Sequence, residues 1–385
     1  MGVIGLGKAY SFLSRALLED GRINVVAAAD TSESARLAFH SETSGSTYAD
    51  AGQLFADSSI EAVYIATPPQ THIHLTCAAA AAGKHILVEK PMSLSIAECK
   101  VMIDATQKAG VQLLVGHTHS YDRPILMARA IIQSGKYGGL RHVTAINYNK
   151  FMTRSRAPDA LCLENGGGAI LNQGFHQVDV ARLLGGGLVD TVRSSVGFWN
   201  TKFPSEGAYT ATLQFRCGAT ATLIYSGYGR FDSDEFCGWI GETGVVKSES
   251  EVKEDRPNRQ VGLVERRRRY HEHFGLVVAS CEHADIRPIP EGVMIYCEQG
   301  TKFVRAPEVS IPRAEVVDEL YRAVVSGEAP IHSGEWGLAT QEVCNAIRIQ
   351  PDGNDSRRLT FQIEHAAIVD NGSEVTVSSA DNHWK

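Results

Sequence analysis

His85-Ile86-Leu87-Val88-Glu89-Lys90-Pro91 is the stretch whose reading decides the fold. It reads as a buried parallel strand that stops abruptly at a charged pair and a proline. In open α/β sheets ligands bind outside the carboxyl ends of the strands, so a lysine at such an end faces a crevice. Pro91 confines Lys90 to extended backbone, which holds the ammonium in one direction.

Upstream, Val3 to Gly7 reads as a first strand running into Gly5-Leu6-Gly7, and Phe12, Leu13, Ala16 and Leu17 continue as a helix. Gly5 would make the tight turn. Gly7, with Leu6 and Lys8 beside it, would let a pyrophosphate approach the helix N-terminus. The third glycine position holds Tyr10, a departure expected to loosen the packing of helix on strand. A second strand, Val25 to Asp30, ends in an acid 25 residues after Gly5. A carboxylate there accepts hydrogen bonds from ribose hydroxyls and repels a 2′-phosphate, so NAD is the expected cofactor. The competing role for Asp30 is an N-cap before Glu33. The strand Glu61 to Thr67 leads into Pro68 and His72, a loop read as a wall beside a nicotinamide. Helices at His74–Ala82 and Ser95–Ala109 and a strand at Gln112–Val115 continue the alternation that specifies a doubly wound parallel sheet.

The 385 residues imply two domains. The boundaries read as 1–118 for a dinucleotide-binding domain, 119–348 for an α+β substrate and oligomerisation domain, and 349–385 for a polar tail. In the second domain, Asn172-Gln173-Gly174-Phe175-His176-Gln177-Val178-Asp179 reads as a helix with Asn172, His176 and Asp179 on one face. Alternating strands from Thr191 onward suit a large open, mainly antiparallel sheet. The net charge of −7 argues against nucleic-acid partners. Scattered cysteines without a C-x-x-C pair suggest neither a metal site nor a disulfide framework, and no apolar run is long enough to cross a membrane. A soluble, cytoplasmic protein is expected.

Gly5-Leu6-Gly7, Ala66-Thr67-Pro68 with His72, and Glu89-Lys90-Pro91 resemble, in residues and in spacing, the three N-terminal motifs of the glucose-fructose oxidoreductase and inositol dehydrogenase (Gfo/Idh/MocA) family. The resemblance implies a Rossmann domain followed by an open-sheet domain, a homodimer or homotetramer, and a lysine beside nicotinamide and reacting hydroxyl that is often followed by a cis proline. It also implies that His176 is the acid/base. Asn172 stands where the family carries an aspartate, so it can orient only by hydrogen bonding.

Several further stretches resemble members of that family that oxidise the cis-dihydrodiol of phthalate. They are Gly116 to Asp122, Glu206 to Tyr209, Tyr225 to Tyr228, Phe231 to Phe236 and Glu335 to Thr340. The expected reaction is therefore oxidation of 4,5-dihydro-4,5-dihydroxyphthalate, an anionic cyclic diol, to the catechol. His117 and His119 stand where sugar-acting members usually carry Asn and Arg. Lys90, His176 and Asn172 form the expected catalytic group, with Thr67, Pro68, His72 and Glu89 at the cofactor. His117, His119, Arg154 and Arg156 are the candidates for holding the carboxylates. The rivals are an inositol or sugar dehydrogenase and a non-catalytic NAD-binding redox sensor.

Overall fold

The computed structural model describes residues 1–116, 118–154, 161–162, 166–248, 269–349 and 356–364. His117 and Arg156, the Gly116-side and loop candidates, lie outside the described residues, as does most of the polar tail. The chain divides into two compact units, Met1–His117 with Ser310–Glu342, and Thr118–Val309 with Val343–Lys385.

The first unit is built on β1 (Gly2–Ile4), α1 (Lys8–Glu19), β2 (Ala27–Ala29), α2 (Glu33–Thr43), β3 (Ser46–Tyr48), α3 (Ala51–Phe55), β4 (Ala62–Ile65), α4 (His72–Ala81), β5 (His85–Val88), α5 (Ile96–Ala109) and β6 (Leu113–Val115). All six strands pair in parallel in the order β3-β2-β1-β4-β5-β6. The order reverses direction at β1 and β4, so the crevice for a ligand lies outside their carboxyl ends. Local chemistry sets the helix ends: Ser95 Oγ caps α5 through Glu98 N–H at 3.2 Å, and Gly110 closes it with φ +67°. The three-residue β3 was not legible because Ser46-Thr47-Tyr48 carries almost no apolar signal.

The segment Ser310–Glu342, expected with the second domain, clusters with the first unit instead. Arg22 is the reason near one end of it: its guanidinium bonds both Asp20 and Asp318 at 2.5 Å. Val115 N–H donates to the His332 carbonyl at 2.8 Å, and Gln107 to Glu335 at 2.7 Å. Asp318 lies on a helix α8 (Ala314–Tyr321), which the Arg22 contact therefore holds.

The second unit carries α6 (Arg123–Gln133), β7 (Leu140–Tyr148), α7 (Phe175–Leu184), β8 (Val189–Gly197), β9 (Ala208–Phe215), β10 (Thr220–Ser226), β11 (Leu276–Cys281), β12 (Ala284–Ile289), β13 (Gly292–Cys297), β14 (Gly300–Arg305) and β15 (Arg357–Arg358). They form a nine-stranded sheet in the order β14-β13-β12-β11-β7-β10-β9-β8-β15. It is antiparallel except between β7 and β10, which run parallel at its centre. Val143, Ala145, Leu213, Ala221 and Leu223 are buried on it, alternating with more exposed neighbours. The start of the tail joins this sheet, with Arg357 opposite Val192. A final helix, α9, spans Gly334–Arg348. Among the described residues no helix is long and apolar enough to cross a membrane.

Candidate functional site

Gly5 bonds the Ala29 carbonyl through its N–H at 2.9 Å and takes φ +90°. A Cβ there would lie 2.9 Å from the Ala66 carbonyl oxygen, so the close approach of the β1 and β4 ends requires glycine. A Cβ on Gly7 would meet nothing within 4 Å, so its side is open. Gly7 caps α1 without a side-chain bond, and the first turn holds no acid. A helix N-terminus without an acid in its first turn favours an anion. Lys8 is exposed there, its ammonium 5.8 Å from the Phe12 ring. Tyr10 fills rather than loosens the third-glycine position: it is buried and meets the Phe39 ring at 6.4 Å.

Asp30 turns its carboxylate back to the glycine turn. Leu6 N–H donates to Oδ2 and Ser32 N–H to Oδ1, each at 2.7 Å. A carboxylate has about four acceptor sites, so room remains for ribose hydroxyls. The α2 N-cap is Ser32, through Ala35 N–H at 3.3 Å, which removes the competing explanation for Asp30. The open turn, the acid-free helix end and this carboxylate together fit a dinucleotide.

Lys90 precedes a cis peptide at Pro91 and is half-buried. Glu89 beside it accepts from Tyr64 Oη at 2.5 Å. Burial pushes the Glu89 carboxyl up, against the Tyr64 hydrogen bond and the charges of Lys90 and Arg313. His72 corrects an expectation: it is wholly buried rather than facing a cofactor. Its Nε2 lies 2.8 Å from the Thr67 carbonyl, and Nδ1 lies 3.1 and 3.2 Å from the carbonyls of Pro91 and Met92. The imidazole lies between the Thr67-Pro68 loop and the Lys90-Pro91 turn and, because burial lowers its pKa and keeps it neutral, donates its one N–H to the carbonyls of one side only. Thr71 Oγ1 meets Thr67 Oγ1 at 2.7 Å and braces the same loop.

In the second unit the Asn172-to-Asp179 stretch is not one regular helix. Ile170–Gly174 forms a π turn before α7 begins. The wide turn breaks the i, i+4 register expected of Asn172 and His176. Asn172 Nδ2 instead donates to the carbonyls of Gly168 at 2.9 Å and Gly166 at 3.3 Å, pinning the glycine turn. Asp179 Oδ2 accepts from Thr118 Oγ1 at 2.5 Å and from Ser120 Oγ. Those hydroxyls flank His119, so Asp179 fixes the His119 turn against the helix that bears His176.

His119 and His176 lie edge to face, ring centroids 4.9 Å apart at 69°. Both rest against Phe274, each at 5.2 Å. Phe274 continues a stack through Tyr225, parallel within 1°, to Tyr209. The Tyr225 hydroxyl bonds Asn149, and the Tyr209 hydroxyl bonds Gln177.

His119 also departs from the expected role of a carboxylate receptor. Its Nδ1 is 2.7 Å from Asp122 Oδ2, and both side chains are buried. Asp122 occupies the N-cap of α6 yet makes no side-chain cap bond. Glu272 brings a third ligand-type atom within 4.8 Å of this pair. Glu242 accepts from Asn149 at 2.9 Å and Asn147 at 3.2 Å. Burial pushes Glu242 up, but Arg154, His119 and the two amides outweigh it and hold the carboxyl below its ordinary value. Arg154 itself is exposed and lies 5.9 Å from the Phe151 ring. The surroundings of His119 are thus acidic, and of the two arginine candidates only Arg154 is among the described residues, where it is exposed. Asp122 was missed by sequence reasoning, although the spacing His119-x-x-Asp122 was there to find it.

A parallel sheet with a glycine turn, an open helix end and a ribose-type carboxylate is the arrangement of a dinucleotide-binding domain. The chain belongs to the Gfo/Idh/MocA oxidoreductase family: residues 1–117 match the model of the oxidoreductase family with NAD-binding Rossmann fold, and residues 125–247 match its C-terminal domain. It is similar to the 1-carboxy-3-chloro-3,4-dihydroxycyclohexa-1,5-diene dehydrogenase of Comamonas testosteroni, 37% identical over 371 residues, 90% of this chain and 93% of that protein. It is also similar to the myo-inositol 2-dehydrogenase of Thermotoga maritima, 32% identical over 64% of this chain and 74% of the relative. Among solved structures, a protein of Bordetella bronchiseptica RB50 assigned as a dehydrogenase matches with a TM-score of 0.84 and 35% identity, covering 90% of this chain and 96% of that one. The protein is an NAD-dependent dehydrogenase of this family.

Proposed function

We propose that the enzyme oxidises a carboxylated dihydroxycyclohexadiene, with a monocarboxylated diol and 4,5-dihydro-4,5-dihydroxyphthalate as the compounds to compare. One observation carries this reading: the second unit backs its two histidines with a flat stack of Phe274, Tyr225 and Tyr209, whose two hydroxyls are taken up by Asn149 and Gln177. The three rings are buried, so apolar core stands behind the histidines rather than the polar groups that the several hydroxyls of a polyol would need. The 37% relative, named for a carboxylated dihydroxycyclohexadiene, supports the same class.

In this reading Gly5, Leu6, Gly7 and Lys8 hold the pyrophosphate, Asp30 the ribose, and Thr67, Pro68 and Glu89 border the nicotinamide. Bound NAD supplies the hydride acceptor. His176 takes the hydroxyl proton, and the Lys90 ammonium lowers the cost of the developing alkoxide. Asn172 shapes the glycine turn ahead of His176, and Arg154 anchors a substrate carboxylate. An acidic neighbourhood around His119 suits one carboxylate better than two, because a second would face Asp122, Glu242 and Glu272.

The test is NADH formation with a panel of mono- and dicarboxylated dihydrodiols, myo-inositol and glucose. Turnover of a dihydrodiol at a kcat/KM at least ten times that for any polyol is expected. Preference for inositol or glucose overturns the substrate class, and NAD binding without turnover of any compound favours the sensor.

A further inference from the structure

Arg313 suits its own helix poorly. It is the N-cap of α8 yet makes no side-chain cap bond, and its backbone stands in the left-handed region at φ +62°. N-caps favour short acceptors such as Ser, Asp and Asn, a cation is unfavourable at a helix N-terminus, and L-residues with long side chains rarely take that backbone. Docking of the segment does not depend on it either. Further along α8, Arg22 bonds Asp318 at 2.5 Å and lies 5.2 Å from the Tyr321 ring. A residue that breaks the local rules of its helix points to a use outside that helix.

What Arg313 meets is the start of α1. Its guanidinium lies 5.0 Å from the Phe12 ring, and the Lys8 ammonium lies 5.8 Å from the same ring. Phe12 is 42% exposed and stands one turn beyond Lys8, so both cations gather beside the helix end whose first turn carries no acid. The charge of Arg313 also acts on the Glu89 carboxyl and the Tyr64 hydroxyl, opposing the rise that burial gives both, so it is felt where β4 and β5 end. Two like charges on one ring repel each other, and a ligand with two negative charges relieves that repulsion.

We infer that Arg313 is a cofactor-binding residue, supplied by the returning segment Ser310–Glu342, and that it joins Lys8 in holding the diphosphate of NAD. This rests on the diphosphate lying at the glycine turn, as read above, and not on the identity of the substrate. An arginine fork takes two phosphate oxygens at once, whereas the Lys8 ammonium meets them as a point charge. The cofactor site of the first unit is then completed by residues from near the other end of the chain.

The test is binding, without turnover. Isothermal titration of the full-length enzyme gives Kd for NAD, ADP-ribose and adenosine, before and after Arg313→Asn. Asn suits both an N-cap and a left-handed backbone, so the Tm of this variant should be unchanged or higher. NAD and ADP-ribose should nevertheless bind about tenfold or more weakly, while adenosine, which has no phosphate, should change less than about twofold. Arg313→Lys should recover part of the loss. Added salt should weaken NAD binding less in Arg313→Asn than in the unaltered enzyme. Arg313→Gln serves if Arg313→Asn does not fold. The inference is overturned if Kd for NAD and ADP-ribose does not move, or if adenosine weakens to the same degree. A fall in Tm with unchanged binding overturns it as well and makes Arg313 a brace of α8. Gly7→Asp, at a position where a Cβ has room, puts an acid at the turn and should abolish NAD binding. Unaltered binding in that variant would remove the placement of the diphosphate itself.

Discussion

Leu6 N–H donates to Asp30 Oδ2 at 2.7 Å, which makes one carboxylate both the brace of the glycine turn and the expected ribose ligand. Asp30→Asn keeps an acceptor for Leu6 but removes the charge that repels a 2′-phosphate. NAD should be preferred over NADP by ~1–3 kcal/mol in the unaltered enzyme, the scale of a charge-assisted hydrogen bond. Asp30→Asn should narrow that gap with little loss of thermal stability. Equal use of both cofactors before mutation would remove the role given to Asp30.

His72 should act on chemistry through Lys90, not through the cofactor. Replacing it by Phe removes the one N–H that it offers to the buried carbonyls of Thr67, Pro91 and Met92, an unmet buried polar cost of about 1–3 kcal/mol. The expected result is a tenfold or larger fall in kcat with the Kd for NAD changed less than threefold. His72→Gln, which can still donate, should recover part of kcat. Loss of NAD binding in step with kcat would mean that the first unit as a whole had failed.

Lys90 and His176 serve one hydroxyl in the proposed reaction. Lys90→Ala should lower kcat by on the order of 10² to 10⁴. Adding His176→Ala should cost less than the product of the two single effects, as groups acting together do. Fully multiplicative losses would assign them independent roles.

Arg154→Ala should raise KM for a carboxylated diol more than tenfold and leave NAD affinity alone, because a hydrogen bond to a charged group is worth ~1.5–3 kcal/mol. An unchanged KM would return Arg154 to the solvated surface.

Stability should fall in alkali through the neighbour of Phe274. Burial opposes a charge on His273, but Cys237, the Asp234 carboxylate and the Ile240 carbonyl raise it to about 10. A histidine raised in the folded state contributes stability that is complete below its unfolded value and is lost as pH climbs through the folded one. Tm should therefore decline between roughly pH 7 and 10, and His273→Gln should flatten that decline. An identical slope in the variant would show that His273 does not carry it.

The first unit was largely readable from the chain because its information is local. Gly5 is needed where the backbone turns with φ +90°, Asp30 ends an apolar run, and Lys90 ends another before Pro91. A parallel strand is apolar on both faces, so β1, β2, β4, β5 and β6 announce themselves in four or five residues. The surroundings of His72, His119 and Asn172 and the placement of Ser310–Glu342 came only from tertiary structure. A histidine looks the same in sequence whether its nitrogens meet a ligand, the carbonyls of Thr67, Pro91 and Met92, or the carboxylate of Asp122. A single π turn at Ile170–Gly174 rotates Asn172 out of register with His176, and no side-chain periodicity records it. The helix α8 joins the first unit through Arg22 and Asp318, 296 residues apart, a pairing that only the folded backbone brings into reach.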